Sequence, residues 1–131
     1  MTSPNPRNRY LQDSISTASP GKLLIMLYDR LVMDLFQGEE ALRNSERERA
    51  NDKINHAQEI ILELRTTLDV DAWAGAPGLA NLYGYLLTEL IGANIARDAD
   101  RVATCRALIE PLRDAWREAA TLAVAPSAPV A

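Results

Sequence analysis

The sequence predicts an all-α protein: an antiparallel up-down four-helix bundle with a short N-terminal arm or helix packed as a cap. Three observations predict it. Apolar residues recur at helical spacing through most of the chain, and no segment shows the period-two alternation of a half-buried strand. The helical stretches are separated only by brief Pro, Gly, Ser, Asn and Asp punctuation, and short connections force neighbouring helices antiparallel. Finally, 131 residues form one domain large enough for a real core.

Pro4 and Pro6 make the first residues an extended arm, followed by the small apolar cluster Tyr10, Leu11 and Ile15. Residues 1–18 are read as arm or cap, 19–122 as the bundle and 123–131 (within AVAPSAPVA) as a disordered tail. Ser19-Pro20 is a helix start, serine as N-cap and proline at the first helical position, so the first helix runs from about Pro20 to Arg43. Within it, eleven of the fourteen residues Leu23–Phe36 are apolar or aromatic. Leu24, Leu27, Tyr28, Leu31 and Leu35 form one stripe, and Ile25, Val32 and Phe36 a second beside it. Met26 and Met33 fall on the far side among Lys22, Asp29, Arg30 and Gln37. A helix apolar on nearly every side must be covered on more than one side.

Ser45 and Glu48 have capping-box spacing at the start of the second helix, with Asn51 a competing cap. Ile54, Ala57, Ile61, Leu64 and Leu68 then make a seven-residue seam suited to bundle packing, flanked by Ile60, and the helix stops near Asp69. Val70–Gly78 reads as a loop with Trp73 as a hydrophobic plug. The third helix, Leu79 to about Ala96, carries Leu79, Leu82, Tyr83, Leu86 and Leu90, widened by Leu87 and Ile91. Asp98 or Asp100 caps the fourth, whose stripe is Val102, Cys105, Ile109, Leu112, Trp116 and Ala119. Gly84 reads as a point of close helix packing. Pro111 removes a backbone hydrogen bond and is expected to kink its helix at Ala107–Glu110 rather than break it.

A net charge of −4 and the lack of a basic stripe argue against nucleic acid. Asp29, Arg30 and Asp34 interrupt the most apolar run well short of a membrane span. The start, MTSPNPRNRY, has no apolar segment of a secretory signal. Cys105, the single cysteine, reads as a small buried side chain rather than a nucleophile. A reducing cytoplasm is the expected location. His56, the single histidine, has Lys53 three residues before it, so the Glu-x-x-His pairs of di-iron bundles are missing, and it is read as a polar-face residue. Gly21-Lys22 is followed by Leu23, which excludes a phosphate loop. Nothing assembles a nucleophile with a base and an orienting group, so the reading is no enzyme, no cofactor and no metal. What remains is surplus apolar helix surface and apolar-tipped ends, which point to binding another chain helix-in-groove.

The pattern resembles the flagellin export chaperone family (FliS). It spans roughly Tyr10 to Ala120: Tyr10 ahead of Thr17-Ala18-Ser19-Pro20, then Lys22-Leu23 and Met26-Leu27-Tyr28-Asp29. Ala57-Gln58-Glu59-Ile60-Ile61 with Leu64 and Leu68 comes next, then Leu82-Tyr83-x-Tyr85 with Leu90 and Ala93-Asn94, and Leu112-Arg113-x-Ala115-Trp116 near the end. The resemblance implies a cytoplasmic chaperone without nucleotide. Such a protein binds the disordered C-terminal segment of flagellin, prevents premature polymerisation and assists delivery to the flagellar type III export gate. A non-enzymatic helical adaptor or chaperone for another secreted protein is the alternative. The chain is expected to be a monomer or weak homodimer.

The resemblance further implies that the N-terminal segment lies over a hydrophobic groove in competition with cargo, a role that falls here to Tyr10, Leu11 and Ile15. The apolar surplus of the first helix and the flank of Leu86, Leu87 and Ile91 supply partner area. Met26 and Met33 either fill gaps beneath the arm or touch the partner directly. Tyr28, Tyr83 and Trp116 read as core, and Asn94 as an inter-helix hydrogen bonder.

Overall fold

The computed structural model describes residues 19–124, which form four helices: α1 Pro20–Arg43, α2 Arg47–Thr67, α3 Ala76–Ala96 and α4 Ala99–Val124. Each helix packs on the next and α4 closes the cycle on α1. This is the antiparallel four-helix bundle the periodicity predicts. The expected arm, with Tyr10, Leu11 and Ile15, lies outside the described residues, as does the tail from 125.

The helix ends follow from local chemistry. Ser19 caps α1, its side-chain oxygen accepting from the Lys22 N–H at 3.2 Å, and Pro20 occupies the first turn, where no N–H is needed. Ser45 does not cap α2. It sits at φ 58°, and the bonds Glu46 N–H to Ala41 C=O (2.8 Å) and Ser45 N–H to Leu42 C=O (3.2 Å) close α1 with a Schellman turn. The capping box is lost because Ser45 finishes one helix instead of starting the next. Arg97 at φ 53° ends α3 in the same way, with Asp98 N–H bonded to Ala93 C=O at 2.9 Å. Asp98 then caps α4, accepting from the Arg101 N–H at 3.2 Å. α3 begins three residues before the expected Leu79, because Pro77 and Gly78 are tolerated in a first turn. α4 continues unbroken through the exposed Pro111.

The core is made by the predicted stripes. Tyr28, Leu31 and Leu35 of α1, Ile54, Ile61 and Leu64 of α2, Tyr83, Leu86 and Leu90 of α3, and Val102, Cys105 and Ile109 of α4 are all buried in one cluster. Each such aliphatic side chain contributes roughly 1.5–3 kcal/mol of burial. Burial also pushes the Cys105 thiol up to about 11, with the Glu89 charge adding to it, so the thiol is an inert core group.

The contact of α1 with α2 is close and partly polar. A Cβ on Gly38 would lie 3.1 Å from Ile54 Cγ1, so the close-packing glycine is Gly38. Gly84 does not have that role: a Cβ there would meet only the Arg65 guanidinium, 3.9 Å away. Asp34 is fully buried, bonded to His56 Nδ1 and 3.3 Å from Arg30 Nε. His56 is therefore the partner of a core carboxylate rather than a free polar-face residue. Asn94 Nδ2 donates to Asn51 Oδ1 at 2.9 Å and ties α3 to α2, as expected. α1 meets α4 through charges, Arg106 with Glu39 at 2.8 Å and Arg43 with Asp100 at 3.0 Å.

Candidate functional site

At the end of the bundle where α1 and α3 begin and α2 finishes, the core is open. The first turns of α1 carry leucines on two adjacent faces, so Tyr28 turns fully inward while Leu23, Leu24 and Leu27 remain partly exposed. Those three, with Leu64 from α2 and Leu68 just past its end, Leu79 and Tyr83 from α3 and Trp116 from α4, wall an apolar recess of about 400 Å³. Glu63, Thr67 and Asp69 stand among its lining residues as the polar members. A second recess of about 400 Å³ adjoins it between α3 and α4, walled by Gly78, Leu79, Leu82, Leu112, Ala115 and Trp116. Trp73, from the α2–α3 loop, lines both.

Aromatic groups organise this end. The Tyr28 and Tyr83 hydroxyls hydrogen-bond each other across the bundle, and burial pushes both phenols above the ordinary tyrosine range. Trp116 packs edge-on to Tyr28, ring centroids 6.3 Å apart at 64°, and Trp73 packs on Trp116 at 6.3 Å and 90°. The Trp116 indole N–H is buried near the Tyr28 hydroxyl without completing a well-formed hydrogen bond. What such walls offer is apolar area that a partner removes from water, steered by a few polar groups.

The residues singled out from the sequence are distributed differently. Leu86 is fully buried, so it belongs to the core and presents no surface to a partner. Met33 and Ile91 are half exposed, at 50% and 49%, while Met26 and Leu87 are partly buried. These four do not come together: the methionines lie on α1, Leu87 and Ile91 on α3, and none lines either recess. Sequence reasoning assigned Leu24 and Leu27 to the core alone and Trp73 to a plug, and did not connect Leu23, Leu68, Leu82 and Leu112. One signal was available: Trp73 and Trp116 are the chain's two tryptophans, and they meet here.

The family model described as Flagellar protein FliS matches residues 3–123. The chain belongs to the FliS family. The flagellar secretion chaperone FliS of Bacillus subtilis is 34% identical over 119 residues, covering 91% of this chain and 89% of that protein. The FliS of Campylobacter jejuni is 30% identical over 85% of this chain and 88% of its own, and that of Escherichia coli 26% over 82% and 81%. A solved structure titled as a flagellar chaperone from bacteria superposes with a TM-score of 0.72 at 22% identity, covering 88% of this chain and 94% of that one. It shows that the fold is shared. Membership in FliS gives the chain the role of an export chaperone for flagellar secretion. No helix among the described residues is long and apolar enough to cross a membrane.

Proposed function

We propose that the chain is a cytoplasmic, non-enzymatic chaperone that binds the disordered C-terminal segment of flagellin, keeps it from polymerising and helps present it to the export gate. The observation that carries this reading is the pair of adjoining apolar recesses at the open end of the bundle, unfilled by any described residue of the chain. A segment that folds on binding loses ordering entropy at that moment, so it requires a large preformed apolar surface. Met33 and Ile91, half exposed on α1 and α3, offer further apolar area apart from the recesses. Tyr10, Leu11 and Ile15 compete for it: the chain leaves Ser19 beside Pro20, itself a wall of the first recess, and Ile15 is only four residues further back.

Calorimetric titration with flagellin, intact and lacking its C-terminal segment, tests the reading. Binding by intact flagellin alone is expected. Leu23→Glu, which alters a recess wall outside the core cluster, should weaken binding while leaving the melting temperature nearly unchanged, and deletion of residues 1–15 should raise the on-rate. Equal binding by truncated flagellin would refute the assignment of the C-terminal segment. No binding to either would leave the adaptor for another secreted protein as the better description.

A further inference from the structure

We infer that Trp73 is the gate of this site: a hinged partition that keeps two apolar recesses apart and must swing out before one partner segment can occupy both. The inference rests on the reading above for the partner, the C-terminal segment of flagellin. Three side chains are shared by the two recesses, Trp73, Leu79 and Trp116. Leu79 is buried on α3, and Trp116 sits on α4, packed against the core and edge-on to Tyr28. Trp73 alone of the three belongs to a loop, and it is 49% exposed.

Its restraints are few. The loop's hydrogen bonds among the described residues are all local: Leu68 N–H to Leu64 C=O, Ala72 N–H to Asp69 C=O, Ala76 N–H to Trp73 C=O, Leu79 N–H to Gly75 C=O, and Asp71 N–H to the Asp69 carboxylate. No hydrogen bond from this loop to α1 or α4 is found among the described residues. The indole is seated by one edge-to-face contact with Trp116 and by the missing side chain of Gly75. A Cβ on Gly75 would lie 1.9 Å from Trp73 Cζ3, inside the ring's own space. Gly75 has φ −83°, a conformation any residue adopts, so glycine is required there by the indole and not by the backbone.

With Trp73 out, the recesses join across Trp116 into one apolar trough. It runs from Leu23 and Leu27 on α1 to Leu82 and Leu112 at the α3–α4 groove. A helix placing apolar side chains on both sides of Trp116 would fill it. Lining residues Glu63 and Asp69, with no cation in either lining, favour a segment carrying Lys or Arg beside its apolar face.

Two variants open the gate by opposite means. Trp73→Ala removes it, and Gly75→Ala props it out by filling its seat. Both should raise the stopped-flow on-rate for flagellin several-fold relative to wild type, with melting temperatures close to wild type. The full chain without flagellin supplies the second readout. The apolar dye anilinonaphthalene sulfonate should bind both variants more strongly than wild type, because the joined trough admits a larger apolar group. Wild-type dye uptake in both variants would overturn the gate whatever flagellin does, as would wild-type on-rates in both. Increased dye uptake without flagellin binding by any form would uphold the gate and overturn the choice of partner.

Discussion

Asp34 should be less costly to remove than the two residues that partner it. Its side chain is 0% exposed, whereas those of Arg30 and His56, on either side of it, are 56% and 43% exposed. The desolvation penalty of this triad therefore falls almost wholly on the carboxylate. Replacing Asp34 by Leu removes the buried charge, returns Arg30 and His56 to water and puts an apolar group of similar size against α2. Exchanges of this kind are commonly near neutral, and a change within about 1 kcal/mol of wild type is expected. Replacing Arg30 and His56 together by Ala leaves the carboxylate buried and unpaired, at a cost of about 3–5 kcal/mol. Alanine is a good helix former, so loss of helix propensity does not explain that cost. Urea unfolding at pH 7, followed by far-ultraviolet circular dichroism, measures both. Adding Asp34→Leu to the double variant should recover most of the lost stability. If the single Asp34→Leu variant is instead less stable than the double, attraction outweighs desolvation here and the reasoning fails.

The two helical glycines should respond in opposite directions in thermal melts. Gly84→Ala, with only a guanidinium 3.9 Å from its new methyl group, should gain about 1 kcal/mol. Gly38→Ala brings a methyl group to 3.1 Å from Ile54 Cγ1 and should lose about 1 kcal/mol despite its better propensity. Stability should also fall at alkaline pH. The folded Cys105 thiol is raised from 9.0 to about 11, so its contribution is full below pH 9 and is lost as pH rises through about 11, on the order of 3 kcal/mol. Tyr28 and Tyr83, raised by burial, add to the loss above pH 10. Cys105→Ala should remove the earlier part of that decline, measured by melting temperature from pH 8 to 11.

What was legible in the chain was what period and punctuation control. Ser19-Pro20 marks α1 because a cap and a proline act locally, and the Ile54–Leu68 seam marks α2 because its spacing needs no knowledge of the partner. The failures were non-local. Ser45 has cap chemistry, but the end of α1 uses its residue for a left-handed turn. Gly84 and Gly38 look alike in the sequence, and only the position of α2 separates them. Asp34 appeared to be a charge interrupting an apolar run, although it is the buried member of a triad completed by His56, 22 residues later.

The same distinction bears on the excess of apolar residues along the first helix. Amphipathic analysis places that excess on the far side of the helix, at Met26 and Met33. The bundle places it along the axis instead. Tyr28, Leu31 and Leu35 are consumed by the core, Phe36 lies under the Arg106 guanidinium at 5.5 Å, and Met33 stays half exposed to solvent. Leu23, Leu24 and Leu27 reach the open end, where the neighbouring helices leave a recess instead of closing over them. A helical wheel sums over the length of a helix and cannot register where its partners stop. The excess is thus a property of the bundle's end, and that end is where the chain's two tryptophans meet and where residue 19 leads back to the arm.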